Sequence, residues 1–250
     1  MDYLRIRQRY TLLVRLAILL PSLPLLYYLF AKDNYLIKIL CVIIYMAVLA
    51  VCVYIINRWY SQTVTHVLYS QVDLAAFRQF IEINGESKND KNHLQSKLAA
   101  ITYHYLIGDF VSVIQRVSEL DGNAKLSQSQ ARVLALYRIK SHILLGDYSN
   151  KQEFRGAVSK TLSEDHNENR EIVENCEAVY DIVSSQQPND YFEELESDLK
   201  IYQLELMYFK ACNTVLKGNT AEAEKLFTAL SQEDDNLYIV KESKKYLEEN

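Results

Sequence analysis

The amino-acid sequence predicts an all-α protein: a two-helix transmembrane hairpin followed by an α-solenoid of antiparallel helix pairs. Three observations predict it. Two apolar runs, Leu12 to Phe30 and Leu36 to Ile56, flank the short polar loop Lys32-Asp33-Asn34. Elsewhere apolar residues recur at helical spacing, and the 250 residues include only 6 Gly and 3 Pro. Short Gly-Asp or Gly-Asn turns return at a near-constant interval.

The first apolar run has 19 residues, so at about 1.5 Å rise each it nearly matches the roughly 30 Å hydrocarbon thickness of a bilayer. The second has 21, interrupted by Lys38 near its start. Arg15 lies one turn inside the first run, where its long side chain can lift the guanidinium to the headgroups. Pro21 and Pro24 predict a kink, which membrane helices tolerate when the freed carbonyls find other partners. A cleaved signal peptide is disfavoured, because Leu29-Phe30-Ala31 places Leu where cleavage needs a small residue and a second spanning run follows. A soluble helical pair is disfavoured because helices apolar on every face belong in membranes.

Basic flanks set the expected orientation. Arg5, Arg7, Arg9 and Arg15 precede or begin the first span and Arg58 follows the second, against Lys32 and Lys38 at the loop. The positive-inside rule then places both ends in the cytoplasm. Tyr27, Tyr28 and Tyr35 at one interface and Trp59 and Tyr60 at the other read as aromatic belts. The expected domains are residues 1–59, the basic flank and hairpin, and 60–250, a cytoplasmic helical repeat domain.

Charge separates the two parts. Residues 1–57 carry net +4 and 58–250 carry −9, made up of +2 over 58–170 and −11 over 171–250. An acidic domain excludes nucleic acid, whose phosphates need a basic face, while the basic flank suits a lipid bilayer surface. Cys41, Cys52, Cys176 and Cys212 have no metal-ligand spacing, and a reducing cytoplasm argues against disulfides.

Beyond the hairpin, Phe110, Val113, Ile114, Val117 and Leu120 mark one helix face, and Ile201, Leu204, Tyr208, Ala211 and Val215 another. Polar breaks at Asn84–Asn92, Asp121–Gln130, Ser163–Asn169, Ser184–Asp190 and Ser231–Asn236 separate the helical stretches. Gly108-Asp109, Gly146-Asp147 and Gly218-Asn219 each end one helix and precede another, with Val72-Asp73 in a similar place earlier. Asp73 to Asp109 is 36 residues, Asp109 to Asp147 is 38, and Asp147 to Asn219 is 72. Glycine permits the left-handed conformation of a tight helix end, and Asp or Asn can cap the next helix.

These repeats resemble the tetratricopeptide repeat family. Tyr202 to Leu230 carries the resemblance best, with Ala211, Gly218, Ala223 and Phe227 at the family's small, turn, small and aromatic positions. The Gly108 copy keeps the spacing with Val113 and Val117; the Gly146 copy has Lys151 and Arg155 there; a copy near Ile182 lacks the glycine. The resemblance implies a stack with a concave groove lined by the first helix of each pair: Thr102 and Tyr105, Lys140 and Ile143, then Glu205, Tyr208 and Cys212. It implies a protein or peptide partner. Leu98 and Ala99 occupy the place of the Lys and Asn that clamp a terminal carboxylate in some members, which excludes that ligand class. Tyr60 to Ile83 forms the expected first pair, and Asn236 to Glu249 a terminal cap.

Catalysis has no support in the sequence. His104 and His142 both stand four residues before a turn glycine, yet equivalent positions of stacked repeats lie about 10 Å apart, too far to share a metal. His166 lies in an acidic loop, and Glu193, Glu194, Glu196 and Asp198 read as a solvated helix face or a lure for a basic partner. No catalytic or nucleotide-binding pattern is present. The expectation is a non-enzymatic, cofactor-free cell-membrane scaffold or adaptor. The alternative is an accessory subunit of a larger membrane complex such as a transporter or envelope-synthesis machine.

Overall fold

A computed structural model of the chain describes residues 2–31, 34–122, 125–162 and 167–249. Among the described residues every regular element is helical and no strand occurs. Lys32, Asp33, Glu164, Asp165 and His166 lie outside them. The chain forms two compact units, 1–80 and 81–250. The division falls inside a helix, well beyond the 59/60 boundary expected from the sequence.

The first unit contains α1 (Tyr3–Ala31), α2 (Tyr35–Thr65), a π-helical turn (His66–Ser70) and the start of α3 (Leu74–Gly85). Helices α1 and α2, of 29 and 31 residues, outrun their apolar stretches, and each is longer than a hydrocarbon layer is thick. Both are long and apolar enough to cross a membrane, and their apolar windows have no buried residue. Pro21 and Pro24 lie inside an uninterrupted α1. Asn34 caps α2, its Oδ1 accepting the Leu36 N–H at 3.0 Å. The base of the hairpin has a core of its own, in which Tyr3, Ile6, Val67, Leu68, Phe77 and Phe80 are buried. This apolar cover explains why the first unit runs on to residue 80.

Three hydrogen-bonded contacts tie that base together. The hydroxyls of Tyr3 and Tyr60 lie 2.6 Å apart, Tyr10 donates to Asn57 Oδ1 at 2.8 Å, and the Leu4 N–H donates to Gln79 Oε1 at 3.3 Å. Val72, 5% exposed, adopts φ +54° before α3. A β-branched residue there is strained, and burial of its side chain offsets the strain.

The second unit holds α4 (Asp90–Ile107), α5 (Phe110–Ser118), α6 (Gln128–Leu145), α7 (Lys151–Thr161), α8 (Asn167–Val183), α9 (Lys200–Leu216), α10 (Thr220–Leu230) and α11 (Tyr238–Glu249). Helix α4 packs on α5 and α6, α6 on α8, and α8 on α9. Helix α9 meets α10 and α11, and α11 also meets α4. The long helices therefore enclose a common interior. Ile139, Ile143, Phe154, Val158, Cys176, Val179 and Phe209 form one apolar cluster within it.

One segment departs from the helix pairs expected from the sequence. After α8, Gln186 takes φ +53°, and a 3-10 turn (Asp190–Phe192) stands where a second helix would. Residues 193–199 are not helical. The acidic run is thus no helix face: Glu194, Glu196 and Asp198 are exposed, whereas Glu193 turns inward to Lys210 and Lys217 at 3.4 and 3.2 Å. Two buried groups hold this segment. Phe192 stacks on Phe209 at 5.1 Å, and the fully buried Asn213 accepts from the Asn189 N–H and donates to Asp190 and Glu193.

Candidate functional site

The recurring turns prepare the site. Gly108, Gly146 and Gly218 take φ +84°, +74° and +79°, ending α4, α6 and α9 so that the chain can reverse. The following Asp109 and Asn219 accept from the Ser112 and Glu222 N–H groups at 3.2 and 3.4 Å, satisfying the open donors at the starts of α5 and α10. At Gly146 the cap moves to Asn150, which accepts from the Gln152 and Glu153 N–H groups. Asp147 is thereby left for another partner.

That partner is His142, whose Nδ1 lies 2.7 Å from Asp147 Oδ2; His104 and Asp109 repeat the pair at 3.0 Å. Each imidazole faces the carboxylate five residues on, closing its own turn. For Asp109, the hydrogen bond from Ser112 and the neighbouring His104 hold the carboxyl below its ordinary range.

Of the residues expected to line a groove, three meet directly. Tyr105 of α4 donates to Glu205 Oε1 at 2.6 Å, and Lys140 of α6 donates to Glu205 Oε2 at 3.1 Å. Both carboxylate oxygens of this α9 residue are engaged. Tyr105 and Lys140 are 3% and 1% exposed, and the Lys140 ammonium lies 5.8 Å from the Phe209 ring centre. Tyr208 joins through Tyr238, ring to ring at 5.8 Å, and Tyr238 in turn lies 5.9 Å from Tyr105.

Of the remaining expected residues, Thr102 and Ile143 stand apart from this network, while Cys212 reaches it through a hydrogen bond with Tyr208. Thr102 is buried and its hydroxyl donates to the Leu98 carbonyl at 3.3 Å. Ile143 belongs to the apolar cluster. Cys212 is partly buried beside Tyr208, and burial pushes its thiol up to about 12. Glu205, Tyr208 and Cys212 on α9 keep partial exposure, whereas Thr102, Tyr105, Lys140 and Ile143 are buried.

Sequence reasoning missed Tyr238. It read α11 from its charged residues, while Tyr238, Ile239, Val240 and Ser243 form a buried face. Tyr238 packs against Tyr105, Phe110 and Tyr208, and a Cβ at Gly108 would come within 2.8 Å of its own Cβ. The spacing of that buried face was the available signal. Burial first, then the Glu205 charge, drives the Tyr105 and Tyr238 hydroxyls well above the ordinary tyrosine range. Both stay protonated. The cluster is suited to joining α4, α6, α9 and α11, with Glu205 and Tyr208 at its partly exposed edge.

Comparison with known protein families, with curated proteins and with solved structures finds no match for this chain.

Proposed function

We propose that the protein is a membrane-anchored scaffold, its helical unit holding a protein or peptide partner on the side of the bilayer that carries the basic flank. The observation that supports this most is the contrast between the units. Helices α1 and α2 expose apolar surface along their spanning lengths, whereas the second unit buries most of its apolar residues and is acidic. In this reading the helix pairs form a tetratricopeptide-like stack, both chain ends are cytoplasmic, and contact with the partner is made at the accessible edge of α9, with Glu205, Tyr208 and Cys212.

A photoreactive residue at Tyr208, compared with one at Cys41, tests the reading in native membranes. Capture of one discrete protein from Tyr208 supports the scaffold. Capture from Cys41 alone favours the second reading, a subunit packed through its spans into a larger membrane complex, for which the uncovered surface of α1 and α2 is the specific observation. Capture from neither position overturns the scaffold assignment.

A further inference from the structure

Between the basic end of α1 and the facing turns of α2 lies a cleft of about 150 Å³, lined by Asp2, Arg5, Ile6, Arg9, Trp59 and Thr63. Arg5 and Arg9 are four residues apart and share a face of α1; Trp59 and Thr63 do the same on α2. Ile6 is 2% exposed. Neither arginine forms an ion pair among the described residues. Asp2 Oδ1 accepts the Leu4 N–H at 3.0 Å. The two helices are clamped at this level by Tyr3–Tyr60 and Tyr10–Asn57, with the Tyr10 and Tyr60 rings 4.4 Å apart.

Depth identifies the occupant. Arg9 and Trp59 stand three residues outside the apolar stretches, and Arg5 and Thr63 seven, which is about 5 and 10 Å beyond the hydrocarbon. The headgroup zone extends about 5–8 Å beyond the hydrocarbon on each side. The inner end of the cleft, at Arg9 and Trp59, therefore lies at headgroup depth, and Arg5 stands just outside it. We propose that the mouth of the cleft binds the headgroup of an anionic phospholipid, with the phosphate outside the apolar interior between the exposed Arg5 and Arg9 guanidinium groups and the glycerol within it against Trp59. The volume is below the roughly 300–1,000 Å³ of pockets that enclose whole small ligands, so the acyl chains remain outside along α1 and α2. Guanidinium groups suit this role because their donor fork matches phosphate oxygens.

This inference rests on the membrane-anchored reading, and the experiment separates the two. Full-length protein is reconstituted in vesicles of equal phosphatidylglycerol and phosphatidylcholine, and lipid retained after mild detergent extraction is counted by native mass spectrometry. Phosphatidylglycerol is expected to be enriched. The double variant R5Q/R9Q reduces that enrichment by about tenfold per arginine, as loss of a hydrogen bond to a charged group does, and W59A reduces it with no change of charge. The control R7Q/R58Q removes equal charge outside the cleft and leaves enrichment within about twofold. Equal losses from both double variants, with the protein still embedded, overturn the site and leave the anchor standing. Displacement of lipid by inorganic phosphate overturns the lipid assignment in favour of a free-phosphate site. Release of the wild-type protein from vesicles by alkaline carbonate overturns the anchor and the site together. Circular dichroism of every variant checks that the helices persist.

Discussion

Tyr105 and Glu205 lie 100 residues apart in the chain and 2.6 Å apart in space, hydroxyl to carboxylate. Lys140 completes the arrangement on the other carboxylate oxygen at 3.1 Å. The ion pair is buried on the lysine side and partly covered on the glutamate side, at 2% and 18% side-chain exposure. Removing one partner strands the other charge, whereas removing both does not. K140M and E205Q should each destabilise the full chain in detergent by about 3 kcal/mol, read by urea unfolding at 222 nm. The double variant K140M/E205Q should lose less than the sum of the singles. Additive losses would mean that the pair is not coupled.

Two glycines with the same backbone conformation separate strain from packing. Gly108 and Gly146 have φ +84° and +74°, but only Gly108 faces the Tyr238 Cβ, at 2.8 Å; nothing lies within 4 Å of a Cβ at Gly146. G146A should cost about 1–2 kcal/mol, the left-handed penalty alone. G108A should cost more, because α11 must also shift. Thermal unfolding of the two variants checks this, and equal losses would place no packing demand on Gly108.

Asp109 makes part of the stability depend on pH. Its carboxyl is held below the ordinary range, led by the hydrogen bond from Ser112 and aided by His104. A group whose folded-state pKa is depressed contributes stability above its unfolded pKa, about 3.9, and that contribution disappears as pH falls through the folded value. Wild type should lose stability on acidification from pH 5 toward pH 2, and D109N should lose less across the same range. Parallel acid titrations followed by circular dichroism would reveal the difference.

Burial should silence Cys176. Its side chain is fully covered, and desolvation pushes its thiol up to about 12. At pH 8 the nucleophilic thiolate is therefore scarce as well as hidden. Iodoacetamide should leave Cys176 unmodified in the folded protein and alkylate it in urea, as peptide mass mapping can show. Rapid modification of the folded chain would mean that the α6–α8–α9 interior opens readily.

The sequence by itself determined the all-α class and the two long apolar helices, because helical periodicity and run length are local properties. It also located the turns at Gly108, Gly146 and Gly218, where a left-handed backbone and a nearby capping side chain leave a local mark. Tertiary structure decided what those helices enclose. Tyr105, Lys140 and Glu205 were each legible as positions on a first helix, but their mutual hydrogen bonds depend on how α4, α6 and α9 pack. Tyr238 was invisible as a partner because charged neighbours masked its buried face. The segment after α8 became a 3-10 turn and an extended run because Phe192 and Asn213 hold it across distances in sequence that no local pattern encodes.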